Sequence, residues 1–179
     1  MAKIAFILLC HKNPQAIIEQ AHQLTAVGDY IAIHFDANVK PEDYRTIQQT
    51  LATNENVTFA KKRIKCGWGE WSLVQATLNA IEAACEAFPL ASHFYMLSGD
   101  CMAIKSARYV HQVLDDRDVD YIESFDFFES NWIKTGMKKD RLTYRHFFNE
   151  RSQKWLFYTS LEWQKRFGVS RKIPQDLKI

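Results

Sequence analysis

The stretch Lys3-Ile4-Ala5-Phe6-Ile7-Leu8-Leu9-Cys10, followed at once by His11-Lys12-Asn13-Pro14, decides the fold. A continuous apolar run of this length, without polar alternation, is what a parallel strand buried on both faces requires. Asn13 then supplies a helix N-cap and Pro14 a proline at the first helical position. Ile17, Ile18, Ala21 and Leu24 follow at helical spacing, and Gly28 stops that helix. The unit then repeats. Tyr30 to Phe35 reads as a second strand ending in Asp36-Ala37-Asn38, and Pro41 opens a helix with Tyr44, Ile47 and Leu51 on one face. Val57-Thr58-Phe59 is a short third strand.

A basic loop through Lys61, Lys62, Arg63 and Lys65 leads to Cys66-Gly67-Trp68-Gly69-Glu70-Trp71. Ser72 is the expected N-cap of a long helix with Leu73, Val74, Leu78, Ile81 and Cys85 facing inward, ended by Phe88-Pro89. His93 to Leu97 gives a fourth strand, breaking at Ser98-Gly99-Asp100. Ser106 caps a helix with Tyr109, Val110, Val113 and Leu114, and Asp120 to Phe125 reads as a fifth strand. Strands and helices alternating in this way imply right-handed crossovers, hence a mostly parallel α/β sheet with helices on both faces. After Phe127 the alternation stops, and the segment from Trp132 to Phe167 is aromatic, basic and helical in parts. Without repeats or a low-complexity linker, a single domain over 1–179 is expected, with an α/β part at 1–127 and a basic, aromatic part at 128–179.

Composition excludes several classes. Hydrophobic residues make up 47% and charged residues 25%, which rules out a disordered, collagen-like or disulfide-scaffold chain. No apolar run approaches the ~18–20 residues that span a bilayer. The apolar start is too short for a signal peptide and lacks a small-residue cleavage site. Cys10, Cys66, Cys85 and Cys101 form no CxxC pair, so free, mostly buried thiols in a reducing compartment are expected. The chain is therefore placed in the cytoplasm, at most peripheral to a membrane. Net charge is only +2 but uneven: from Ser130 onward twelve Lys or Arg stand against four Asp or Glu. Such asymmetry suits either an anionic partner or a solvated helical face.

In open parallel sheets ligands bind beyond the carboxyl ends of the strands. That rule selects His11, Asp36, the loop from Cys66 to Trp71, Asp100 and Glu123. An acid such as Asp36 can accept hydrogen bonds from a ribose hydroxyl or a nucleobase N–H, although turn aspartates also serve the backbone. Gly67-Trp68-Gly69 lacks the third glycine of a dinucleotide fingerprint, and the chain has no GxxxxGK[ST] loop. Trp68, between glycines, is the expected ring-stacking contact, and Trp71 the expected core plug at the helix entrance. Ser98-Gly99-Asp100 offers one carboxylate where many nucleotide-sugar transferases place two around a divalent metal. A metal-free site, with basic side chains neutralising a diphosphate, fits better. The histidines form no HExxH pattern, and no Gly-x-Ser-x-Gly elbow is present.

Four segments in this order resemble the core-2/I-branching glycosyltransferases, a family that includes β-1,6-N-acetylglucosaminyltransferases and peptide O-xylosyltransferases. They are Leu8-Leu9-Cys10-His11-Lys12, Ile33-His34-Phe35-Asp36, Trp68-Gly69-Glu70-Trp71-Ser72-Leu73-Val74-Gln75-Ala76, and Phe94-Tyr95-Met96-Leu97-Ser98-Gly99-Asp100-Cys101-Met102-Ala103-Ile104-Lys105-Ser106. The resemblance implies a GT-A-like fold and inverting transfer from a UDP-sugar (UDP-N-acetylglucosamine, with UDP-xylose second) to a glycan or protein hydroxyl, with no divalent metal. It implies that Leu9, Cys10 and His11 border the uracil, and that Asp36, Ala37 and Asn38 meet uracil and ribose. Cys66 and Trp68 would line the same pocket, with Ser98 and Asp100 at the diphosphate edge. Glu123 resembles a sugar-binding glutamate, and Lys138 and Arg141, in Lys138-Lys139-Asp140-Arg141, an acceptor-contacting pair.

In the family the catalytic carboxylate and the phosphate-neutralising Arg and Lys fall beyond the position of Ile179. The resemblance thus implies a donor-binding portion of a longer enzyme, without its general base. Anchored eukaryotic relatives reside in the Golgi membrane, and no anchoring helix precedes the first strand here. Two other readings remain open. One is a UDP-sugar-binding pseudoenzyme. The other is a nucleic-acid-binding module built on Trp132, Tyr144, Phe147, Trp155 and Tyr158, although no RNP-like or helix-turn-helix signature supports nucleic acid as a partner.

Overall fold

The computed structural model describes residues 2–117, 119, 121 and 140–172. The chain forms two compact units, Met1–Val119 and Asp120–Ile179. In the first, elements run β1 (Ile4–Cys10), α1 (Pro14–Thr25), β2 (Tyr30–Phe35), α2 (Pro41–Leu51), β3 (Val57–Phe59), α3 (Trp71–Ala87), β4 (His93–Ser98) and α4 (Ala107–Asp115). All pairings are parallel, in the order β3-β2-β1-β4. The fold class is thus α/β, with a parallel sheet. The expected fifth strand, Asp120 to Phe125, lies outside the described residues except for Tyr121, and Glu123, Trp132 and Lys138 lie outside them too.

Strand residues alternate between two cores because successive side chains point to opposite faces. Leu8 and Cys10 of β1 and Ile31, Ile33 and Phe35 of β2 pack against Ile17, Ile18 and Ala21 of α1 and Ile47 and Leu51 of α2. Ala5, Ile7 and Ala32 pack on the other face against Ala80 and Ala84 of α3 and Phe88. This explains the uninterrupted apolar run at the start of the chain: β1 is buried from both sides. Ile47 and Leu51 are buried, so truncating either to alanine would cost about 2–5 kcal/mol.

The start signals of α1 act as expected. Asn13 takes a left-handed conformation (φ 51°), its side chain accepts the Ala16 N–H at 3.4 Å, and Pro14 opens the helix. Three expectations need correction. The face of α3 that turns to the sheet carries Ala76, Ala80, Ala83 and Ala84, while Val74, Leu78 and Cys85 are exposed. Small residues on both partners, Ala5 and Ala32 opposite Ala80 and Ala84, let helix and strands approach closely. Ser72 is not the N-cap of α3. Glu70 holds that position, and the Ser72 hydroxyl accepts the Gly67 N–H at 2.9 Å, folding the preceding loop back onto the helix. In α4, capped by Ser106 as expected, the buried residue is His111 rather than Tyr109, which is exposed.

His111 explains how α4 attaches. Its Nε2 meets Asp29 Oδ2 at 2.7 Å, and Asp29 Oδ1 accepts the Ile4 N–H at 3.0 Å. Asp29 therefore joins the start of β1, the turn before β2 and α4 through one buried carboxylate, and its hydrogen bonds offset the cost of burying it. The second unit contains α5 (Asp140–Thr143) and α6 (Lys154–Arg166). Phe157 and Leu161 are buried along α6, His146 stacks on Phe157, and Gln164 exchanges two 2.9 Å hydrogen bonds with the backbone of Arg145. Among the described residues, no helix is long and apolar enough to cross a membrane.

Candidate functional site at the carboxyl edge of the sheet

The strands end level with one another. Cys10 is in register with Phe35, and Leu9 with both His34 and Ser98. Two backbone bonds extend these ladders into the loops: Asp36 N–H donates to Cys10 O at 2.9 Å and Gly99 N–H to Leu9 O at 3.1 Å. The candidate positions at three strand ends therefore share one edge: Leu9, Cys10 and His11 at the end of the central strand, Asp36 to Asn38 beside them, and Ser98 to Asp100 on the other flank.

Asp36 is the organising group. Its Oδ1 accepts the N–H groups of Asn38 at 2.7 Å and Cys66 at 3.2 Å. No described residue bonds Oδ2. Asn38 Nδ2 donates to Cys66 O at 3.2 Å, and Ala37 N–H to Ile64 O at 3.1 Å. The loop after β2 and the loop leading to α3 are thus knitted into one surface, with the half-buried Asp36 and Cys66 at their seam. Burial, then the neighbouring Asp36 charge, pushes the Cys66 thiol up.

Two residues that sequence reasoning passed over hold this seam. Arg63 donates from Nε to Phe35 O at 2.7 Å and from Nη2 to Asp36 O at 2.8 Å, while its guanidinium lies 3.9 Å from the centre of the Tyr44 ring. A planar fork with donors along two edges suits that task, and a lysine could not reproduce it. His34, buried in β2, accepts the Ile64 N–H on Nε2 at 3.1 Å, so this nitrogen carries no proton. Burial, the main influence, lowers its pKa and keeps the ring neutral. The signal for Arg63 was its place in a basic run, but a charge run does not say which member turns inward.

On the β4 flank, a Cβ at Gly99 would stand 2.7 Å from Ile17 Cδ1 and 3.0 Å from Cys10 Cβ. Only glycine lets this loop pass so close to β1. Gln20 of α1 donates from Nε2 to Cys101 O at 2.7 Å and Ser98 O at 3.3 Å, pinning both ends of the turn. Asp100, within that turn, pairs with Lys12 at 3.0 Å. Among the described residues, no group of His, Cys, Asp and Glu is arranged to hold a metal ion.

The remaining predicted positions divide by exposure. His11 and Asn38 are exposed, while Cys10 buries its thiol, which donates to His34 O at 3.8 Å and is pushed up to about 12 by burial. The thiols are less uniformly buried than expected, since Cys85 and Cys101 are exposed. Trp68 stands 70% exposed beside Gly69, whose φ of 73° favours glycine. Trp71 is 69% exposed and so is not the expected core plug, because the alanine face of α3 fills that place. Arg141 lies in α5, in the second unit.

Among curated proteins, none matches the chain. The family model described as "Core-2/I-Branching enzyme" matches residues 4–171, which takes in every described strand and helix. With a parallel α/β sheet whose loops gather at one edge, the chain belongs to the core-2/I-branching enzyme family, and its fold is GT-A-like.

Proposed function

We propose that this chain binds the donor of an inverting glycosyltransferase, a UDP-sugar with N-acetylglucosamine preferred and xylose second, without a divalent metal. Asp36 carries the reading: one carboxylate oxygen is fixed by two backbone N–H groups, and the other has no bonding partner among the described residues. An acceptor held rigidly at a strand end suits a ribose hydroxyl or the uracil N–H, because its orientation is set before the ligand arrives. Trp68 supplies an exposed ring beside the seam for stacking. Leu9, Cys10 and His11, at the end of the central strand between the two flanks, would border the uracil. The acceptor is a glycan or protein hydroxyl, for which Glu123, Lys138 and Arg141 are the candidate contacts.

Inverting transfer also needs a general base to take the proton of the attacking hydroxyl. Donor binding is assigned to this chain, and no described residue is assigned the base. The four cysteines, with no disulfide among them, suit a reducing compartment such as the cytoplasm. The test is calorimetric titration of UDP with and without EDTA, followed by competition with UDP-N-acetylglucosamine and UDP-xylose. Micromolar binding of UDP indifferent to EDTA, with the acetylglucosamine donor preferred, is expected. A folded protein that binds none of these nucleotides would overturn the reading.

A further inference from the structure

The second unit carries a cleft of about 370 Å³ lined by Arg145, His146, Phe147 and Arg171. Contacts distant in sequence bring these residues together. Gly168, at a φ of 62°, turns the chain back after α6, and the Arg171 N–H then donates to Thr143 O at 2.8 Å. Arg145 is gripped through both of its backbone groups by the buried Gln164, at 2.9 Å each way. The His146 ring stacks on the buried Phe157, with centres 5.3 Å apart. The backbone of the cleft is thus fixed, while both arginines are exposed. Neither arginine lies in a helix, so the pair is not the solvated face of one. Nor do neighbouring acids account for it. The described acids of this unit are Asp140, Glu150 and Glu162. Asp140 and Glu162 both pair with Lys165, and Glu150 accepts the Tyr158 hydroxyl. Among the described residues, neither guanidinium of the cleft has an ion-pair partner.

We propose that this cleft binds an anionic sugar, with its carboxylate or phosphate held by Arg145 and Arg171 and its ring laid on Phe147. As a statement about the acceptor, this rests on the glycosyltransferase reading above and narrows it to a glycan that carries negative charge. Two unpaired like charges lining one cleft repel each other, and an anion between them turns that repulsion into attraction. The chemistry of the cations points the same way. A guanidinium presents paired N–H donors in a plane, which match the two oxygens of a carboxylate or phosphate, whereas an ammonium offers only a point charge. Phe147, 65% exposed, offers an aromatic face to the C–H side of a pyranose ring. The volume falls at the small end of ligand sites, roughly 300–1,000 Å³, and suits one or two sugar rings. A surface site of this kind binds weakly and is sensitive to salt.

The test is NMR titration of the isotope-labelled chain with a hyaluronan tetrasaccharide, with glucose-6-phosphate and with neutral chitotetraose, and with UDP as a separate ligand. The wild type is compared with Arg145→Gln, Arg171→Gln and Arg171→Lys, each confirmed as folded by its spectrum. At least one of the two anionic sugars should shift the signals of Arg145 to Phe147 and Arg171, and the tighter of them identifies the anion as carboxylate or phosphate. Chitotetraose should bind at least tenfold more weakly. Each glutamine variant should lose about five- to tenfold in affinity for the anionic sugar, Arg171→Lys should recover less than half of that loss, and UDP affinity should stay as in the wild type. Equal affinity for charged and neutral sugars, or full affinity in both glutamine variants, would overturn the proposal. So would a single-stranded oligonucleotide that binds the cleft where no sugar does, by making nucleic acid the ligand. UDP binding without any anionic-sugar binding would sink this proposal alone. The anionic sugar bound as described, with no UDP binding, would keep the cleft and remove the donor reading.

Discussion

Replacing Arg63 separates the geometry of the donor edge from its charge. The guanidinium makes two hydrogen bonds, at 2.7 and 2.8 Å, to the carbonyls of Phe35 and Asp36, and lies 3.9 Å from the Tyr44 ring centre. Hydrogen bonds from a charged donor are worth about 1.5–3 kcal/mol each, and a partly exposed cation–π contact about 0.5–1 kcal/mol. The contributions are not additive, and Asp36 O keeps the Val39 N–H at 3.2 Å, so Arg63→Ala should destabilise by about 2–4 kcal/mol. Arg63→Lys is the sharper probe. It restores the charge but reaches one carbonyl at most, so it should recover less than half of the loss. Urea unfolding measures the stability, and UDP calorimetry on the folded variants measures the site. Affinity should fall about five- to tenfold in Arg63→Lys, because the backbone under the Asp36 carboxylate loosens. A lysine variant with wild-type stability and wild-type affinity would refute the argument and leave Arg63 as mere surface charge.

Two further predictions concern titration and reactivity at the same edge. His34 has a folded pKa below its ordinary 6.5, so the unfolded chain binds a proton first as pH falls. Its contribution is fully present above about pH 7 and erodes from roughly 6.5 down to the folded value. His34→Gln, whose carbonyl can still accept the Ile64 N–H, should flatten the fall in urea midpoint between pH 7.5 and 5; an equally steep fall would exclude His34 as a cause. Among the thiols, hydrogen bonds from the Ser98 hydroxyl and backbone N–H lower the pKa of exposed Cys101, while burial raises Cys10 to about 12. Peptide mapping after brief alkylation at pH 8 should find Cys101 modified and Cys10 spared in the folded state. Early modification of Cys10 would show that the strand end is open to solvent.

Much of the sheet was legible because its signals are local. The buried run of β1, the Asn13-Pro14 and Pro41 helix starts and the Val57–Phe59 strand each follow from a few adjacent residues. The long helix α3 was harder. It carries two apolar stripes at the same spacing, an exposed one of Val74, Leu78 and Cys85 and a buried one of Ala76, Ala80, Ala83 and Ala84, beside which Ile81 packs as expected. Periodicity cannot choose between them; the choice is made by Ala5 and Ala32 across the interface, which favour close approach. The same limit hid the framework of the candidate site. Asp36, Cys66 and Asp100 were marked by their place at strand ends. The groups that hold them (Arg63, His34, Gln20) act through contacts distant in sequence, as when Gln20 reaches Cys101. The Asp29–His111 pair, 82 residues apart, was invisible for that reason.

The most direct test of the account is the UDP affinity of Asp36→Asn beside that of the wild type. The amide keeps one carbonyl oxygen for the Asn38 and Cys66 N–H groups, so the loops and the melting temperature should stay close to the wild type. The second oxygen, the one left for the ligand, becomes an NH2 donor. If that oxygen binds the uridine, affinity for both UDP and uridine should fall tenfold or more, which corresponds to the ~1.5–3 kcal/mol of a lost hydrogen bond to a charged group. Wild-type affinity in a well-folded Asp36→Asn protein would contradict the account and place the nucleotide elsewhere.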